Sequence, residues 1–116
     1  MNTDHELLKM AAKAAGFSAI SFEDGVEICH SGWWSSWNPL TDDGDALRLA
    51  VKLHIDIRFY WDGCDDQYNT VEAYTHGAKK DAEEPIGFYL RGGQLDEDSA
   101  TRRAIVRAAA AIGSVL

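Results

Sequence analysis

The stretch that decides the fold is residues 37–53, which read WNPLTDDGDALRLAVKL. Pro39 restricts Asn38 to an extended backbone, so no helix can begin before the proline. Acidic residues in the first turn complement the positive end of the helix dipole. Apolar residues then recur at helical spacing from Leu47 to Leu53, which predicts an amphipathic helix packed on a core. The cap of this helix is one of three polar residues, Thr41, Asp42 or Asp43.

Before this stretch, the sequence predicts a helix followed by a β-hairpin. Residues 2–15 form the helix, in which Thr3 and Glu6 have the spacing of a capping box. Residues 18–23 and 26–30 alternate in polarity on either side of an Asp-Gly pair, the strongest short-range signal for a hairpin. Residues 31–40 lack such alternation and are expected to form a loop.

After this stretch, the sequence predicts three strands and a last helix. The strands are expected at 55–61, 68–74 and 86–90, with turns at 62–66 and 91–94 and a charged segment at 78–85. The helix runs from about residue 96 to Ile112, and Gly113 ends it. These elements predict one α+β domain over residues 1–116, with a mostly antiparallel sheet of four to five strands and three helices packed on its faces.

Composition limits the possible functions. The net charge of −8 argues against direct binding to nucleic acid, whose phosphates attract Lys and Arg. It suits a partner with a basic surface, although the same charge can simply keep a small protein soluble. The longest apolar run, 108–112, is too short for a membrane span. The N-terminus has no basic region followed by an apolar run, so we expect a cytoplasmic protein with reduced Cys29 and Cys64.

Two segments resemble a known family. Residues 37–50, WNPLTDDGDALRLA, and residues 100–110, ATRRAIVRAAA, are similar to the phage ABA-sandwich domain, a family of small phage and prophage proteins of unassigned function. The resemblance implies helices packed on a β-sheet in an α-β-α sandwich, and a bacteriophage or prophage gene that acts in the bacterial host cytoplasm. The family supplies no catalytic residues that can be transferred to this chain.

The chain shows no pattern typical of catalysis, of a cofactor or of a metal site. Asp42, Asp43 and Asp45 surround Gly44, but their spacing does not match a calcium loop, and we interpret them as helix-capping acids. Cys and His residues occur without the paired short spacing of zinc sites, and Cys29 and His30 would point to opposite faces of a strand. We therefore predict a non-enzymatic protein without a cofactor or a metal.

The candidate binding residues are aromatic and acidic. Trp33, Trp34 and Trp37 form either an exposed binding platform or a lid over the core, and we favour the lid for at least two of them. Three acids lie in the predicted 62–66 turn: Asp62, Asp65 and Asp66. If these and other acidic turns share one face, the surface imitates a phosphate backbone; the simpler interpretation is a set of independent solvated turns.

The favoured function is that of a phage accessory protein that binds a host or phage protein. A specific version is an acidic inhibitor of a host defence or nucleic-acid-processing complex, which would block the partner without contacting nucleic acid itself. The alternative is a structural or assembly protein that acts as a homo-oligomer, with a homodimer as the simplest form. An exposed apolar sheet face would favour the alternative.

Overall fold

The computed structural model describes residues 3–23, 25–60, 70–75, 86–89 and 97–116. The predicted turns at 62–66 and 91–94 and the charged segment at 78–85 lie outside these ranges. The described residues form three helices and six strands: α1 (Asp4–Ala14), β1 (Ser18–Phe22), β2 (Gly25–His30), β3 (Trp33–Trp37), α2 (Asp43–Leu53), β4 (Ile55–Tyr60), β5 (Thr70–Thr75), β6 (Ile86–Tyr89) and α3 (Glu97–Gly113). The α+β class with three helices is confirmed.

The strands form two antiparallel sheets of three strands each. The first sheet has the order β1-β2-β3 and the second has the order β4-β5-β6. The sequence predicts one sheet of four to five strands, whereas the described residues form two sheets with six strands. The strand that the sequence does not predict is β3. The hairpin of β1 and β2 forms as predicted, with Phe22 opposite Gly25.

A two-residue turn produces β3, a segment for which the sequence predicts a loop. His30 is paired with Trp33, and the turn residues Ser31 and Gly32 have φ of 53° and 83°. Positive φ at both central positions is the backbone of a type I′ hairpin turn, whose twist matches that of the flanking strands. β3 is therefore the third strand of a meander, and it lies at the edge of the first sheet.

Side-chain caps define the beginnings of α1 and α2. Oγ1 of Thr3 accepts a hydrogen bond from the backbone N–H of Glu6 at 3.1 Å, as the capping-box spacing predicts. Asp42 caps α2, and its Oδ2 accepts from the backbone N–H of Asp45 at 2.8 Å. The carboxylate of Asp45 in turn accepts from the backbone N–H of Asn38 at 3.0 Å. Asp42 is thus confirmed as a capping acid, whereas Asp45 holds the segment before the helix and Asp43 pairs with Arg102.

Helix α3 forms the centre of the core. It packs against α1 and α2 and against all three strands of the second sheet, while α1 also packs against β1 and β2. Its buried residues are mostly small: Ala100, Ala104, Ile105, Val106, Ala108, Ala109 and Ala110. Small side chains let the backbones of neighbouring elements approach closely, so α3 can be surrounded by both helices and strands.

The second sheet turns an apolar face toward α3. Val71 and Ala73 are fully buried on this face, whereas Ile57, opposite Ala73 in the register, is 38% exposed. The alternate positions, which point to the other face, include Asp56 and Glu72. One face of the sheet is therefore apolar and the other is polar at the described positions.

Arg102 joins the start of α2 to α3. Its Nε donates to the carbonyl oxygen of Leu40 at 2.8 Å, and its two terminal nitrogens donate to Asp43 at 2.6 Å and to Ser99 at 3.1 Å. The side chain is only 17% exposed, whereas that of Asp43 is 79% exposed. The bonds to Leu40 and Ser99 are part-buried, whereas the ion pair with Asp43 is exposed.

Replacing Arg102 with alanine is expected to lower the free energy of unfolding by about 2 kcal/mol, because the part-buried carbonyl of Leu40 loses its charged donor. Urea denaturation followed by circular dichroism measures this change. Asp43→Asn is the control and should cost less than about 0.5 kcal/mol, since the carboxylate is exposed. Equal losses in the two variants would assign the effect to the ion pair and contradict the prediction.

Within the described ranges, none of the helices combines the length and the apolar character needed to cross a membrane.

Candidate functional site

The edge strand β3 presents its three tryptophans on two faces of the first sheet. In the register with β2, Trp33 lies opposite His30, Trp34 opposite Cys29, and Trp37 opposite Val26. Side chains alternate along a strand. Trp33 and Trp37 therefore share the face of the buried Val26, and Trp34 points to the opposite, outer face.

Two of the three tryptophans are exposed. Trp33 is 79% exposed and Trp34 is 46% exposed, whereas Trp37 is 5% exposed and belongs to the core. The prediction that at least two of them cover the core as a lid is wrong. The lid required a loop that folds back, but pairing with β2 holds the segment extended, so that Trp33 projects beyond the core and Trp34 points away from it.

The outer face of the first sheet carries further apolar side chains. Ile20 and Phe22 on β1 are each nearly half exposed, as is Trp34 on β3. On β2, between these strands, lie Glu27, opposite Ile20, and Cys29, a half-buried free thiol opposite Trp34. The face thus combines exposed apolar side chains with one carboxylate, and exposed apolar side chains grouped on one face mark a candidate interaction surface.

The inner face of the same sheet forms one wall of a groove, and α2 forms the other. The groove has a volume of about 330 Å³. Its lining combines aromatic, hydroxyl and charged side chains, of which the most relevant are Phe17, His30, Ser35, Trp37, Arg48 and Lys52. They come from β2, β3, α2 and the segment between α1 and β1, so the fold assembles the groove from separate parts of the chain.

Three rings form a continuous aromatic wall in this groove. Phe17 meets His30 edge-to-face, with ring centroids 5.8 Å apart, and meets Trp37 in the same way at 6.2 Å. The Nζ of Lys52 lies 5.5 Å from the centroid of the Phe17 ring, within the range of a cation–π contact. Aromatic surface and positive charge are therefore adjacent.

The charges of the groove are unequally paired. Arg48 donates to Oδ1 of Asp45 at 2.8 Å, and its side chain remains 73% exposed. No carboxylate among the described residues lies within ion-pair distance of Lys52. The lining thus contains two cations and one acid, and Asp42 places a second carboxylate 3.9 Å from Arg48. Lys52 is therefore the cation of the lining that has no acidic partner among the described residues.

The predicted acidic residues and the Cys and His residues are not brought together in a site by the part of the chain that the structure describes. Asp62, Asp65 and Asp66 lie outside the described residues. Cys29 and His30 project from opposite faces of β2, as their adjacency predicts. In the part of the chain that the structure describes, no three His, Cys, Asp or Glu residues are grouped so as to hold a metal ion.

Comparisons of the chain with protein-family models, with curated proteins and with solved structures find no match.

The groove is not predicted by the sequence. The helical spacing of α2 places Arg48 and Lys52 on its polar side, and both are indeed exposed. The spacing cannot show that this polar side faces Trp37 and His30, because that contact depends on β3. The available signal was the Ser-Gly pair at 31–32, which is typical of a turn and so favours a third strand paired with β2.

Proposed function

We propose that the protein is a non-enzymatic module that binds another protein through β3, with Trp33 and Trp34 as anchors. The exposure of two tryptophans on one edge strand carries this proposal. Exposing tryptophan to water is unfavourable, and tryptophans are enriched among the residues that dominate binding energy. The edge of β3 adds backbone groups to which a partner strand could be hydrogen bonded.

The partner that suits this surface is a protein with a basic, arginine-containing patch. A net charge of −8 attracts such a patch at long range, and arginine stacks favourably on exposed tryptophan. We include Asp62, Asp65 and Asp66 in the contact surface as further acidic groups. The module would then act as an acidic inhibitor of a host defence or nucleic-acid-processing complex, without binding nucleic acid directly.

The proposed biological setting is a bacteriophage or prophage. The segments 37–50 and 100–110 support membership of the phage ABA-sandwich domain family, and hence a phage or prophage protein of the bacterial host cytoplasm. We also propose the α-β-α layer order expected for that family. The packing of α3 on one face of the second sheet supports one of the two helical layers, and the second layer would lie on the other face of that sheet.

The test is an affinity capture from bacterial host lysate with the tagged protein, washed at low and at high salt. We expect one nucleic-acid-processing complex that is retained at low salt and released at high salt. The variant W33T/W34T, which keeps β-strand propensity, should lose this complex. The matched control L47Q/V51Q removes exposed apolar area from α2 and should retain it. Retention by W33T/W34T would overturn the assignment to β3.

A second candidate function is assembly as a homo-oligomer. The exposed apolar residues of the outer face, Ile20, Phe22 and Trp34, favour it, because two copies of such a face can cover each other. Sedimentation of the purified protein decides between the two functions. A stable dimer that dissociates in the variant I20T/F22T supports assembly, whereas a monomer at micromolar concentration supports the binding module.

A further inference from the structure

We infer that the groove between β3 and α2 is a binding site for a small molecule that combines a planar ring with a carboxylate or phosphate group. This inference goes beyond the proposed protein-binding function, because Trp33 and Trp34 do not line the groove. Its volume of about 330 Å³ lies at the small end of the range found for ligand pockets, which suits a ligand of one or two rings.

The aromatic wall accounts for the ring. Phe17, His30 and Trp37 are held edge-to-face, and Trp37 is fixed in the core while it lines the groove. A wall whose rings are already fixed loses little conformational freedom when a ligand packs against it. Planar aromatic ligands gain both apolar burial and favourable ring–ring geometry at such a wall.

The two cations account for the anionic group. Arg48 and Lys52 are four residues apart, so they lie one turn apart on the same side of α2. The guanidinium of Arg48 is already paired with Asp45 at 2.8 Å and lies 3.9 Å from the carboxylate of Asp42. The ammonium of Lys52 contacts the Phe17 ring and has no carboxylate partner among the described residues, so the anionic group is expected at Lys52. An anionic oxygen of the ligand would form an ion pair with the ammonium of Lys52 while the ring of the ligand packs against the aromatic wall.

The hydroxyl group of Ser35 adds a polar contact. Ser35 lies on the inner face of β3 with Trp37 and lines the groove across from the cations of α2, whereas the side chain of Ser36 points to the outer face with Trp34. A hydroxyl donates as well as accepts, so it serves either a phosphate or a carboxylate oxygen. The site therefore selects a ligand by a ring on one side and an anionic group on the other, and not by either feature alone.

The test is a titration of the whole protein with phenyl phosphate, followed by the NMR signals of the backbone amides and of the Trp37 indole. We expect saturable shifts concentrated at Ser35, Trp37 and Lys52. Inorganic phosphate, which lacks the ring, and benzyl alcohol, which lacks the charge, should each bind at least about tenfold more weakly. Equal binding of inorganic phosphate would overturn the role of the aromatic wall.

The variant Lys52→Gln should weaken phenyl phosphate binding about tenfold, because it removes one charge-assisted contact. Lys9→Gln is the matched control, since it removes the same charge from an exposed position on α1, and should leave the affinity unchanged. The variant W33T/W34T should also bind normally, which separates this site from the protein-binding surface. No saturable shift up to about 10 mM, or equal losses in the two lysine variants, would overturn the inference.

Discussion

Replacing Trp37 with alanine is expected to lower the free energy of unfolding by about 4 kcal/mol, the range observed when large buried aromatic side chains are removed. Trp37 is 5% exposed, lies opposite Val26 in the sheet, and meets Phe17 at 6.2 Å. Its loss leaves a cavity where the first sheet packs on the core. Urea denaturation followed by circular dichroism measures the effect.

The control for this variant is Trp33→Ala, four positions earlier on the same strand. Trp33 is 79% exposed, so its removal should change the free energy of unfolding by less than about 1 kcal/mol, the span of β-strand propensity. The two variants change the same residue type on the same face of β3. Equal destabilisation would contradict the division of the three tryptophans into one core residue and two surface residues.

Replacing Gly113 with alanine is expected to lower the free energy of unfolding by about 3 kcal/mol, the upper range for overpacked cores. Gly113 is buried against the backbone of α1. An added Cβ would overlap the carbonyl oxygen of Met10 and lie 2.7 Å from its carbonyl carbon. Backbone atoms within a helix cannot move aside singly, so α1 and α3 would have to separate. Thermal and urea denaturation both report the loss.

Gly44→Ala is the matched control, because Gly44 is also a helical glycine. An added Cβ there would lie 3.2 Å from the guanidinium nitrogens of Arg48, an exposed side chain that can move, and 3.2 Å from the capping Oδ2 of Asp42, which needs to shift by only a few tenths of an ångström. The higher helix propensity of alanine should make this variant neutral or more stable by up to about 1 kcal/mol. A similar loss in both variants would show that the glycine-to-alanine change itself, and not the contact with Met10, is responsible.

The elements that local signals define could be predicted from the sequence. Pro39 and the polar residues 41–43 mark the start of α2, although only the structure identifies Asp42 as the cap. The Thr3–Glu6 spacing marks the start of α1, and in each case the signal is a cap formed within a few residues. The same holds for the hairpin of β1 and β2, whose register follows from one turn. Gly113 was predicted only as a helix end, because the approach of Met10 is a long-range contact.

The strand β3 could not be predicted from hydrophobic alternation. Its five residues include two serines, and only Trp37 is buried, so the segment has no apolar face of its own. Its extended form comes from pairing with β2 through the 31–32 turn. The candidate site shares this origin, since the groove requires β3 to stand beside α2 and no sequence spacing connects Trp37 with Lys52.

The position of α3 also determines when the protein can fold during synthesis. Because α3 packs against α1, α2 and every strand of the second sheet, these elements emerge from the ribosome before the helix that covers them. Until residues 97–113 have emerged, Leu8, Val71 and their neighbours have no central surface on which to close. We therefore expect the nascent chain to remain sensitive to proteases, and to depend on chaperones, until translation has passed α3.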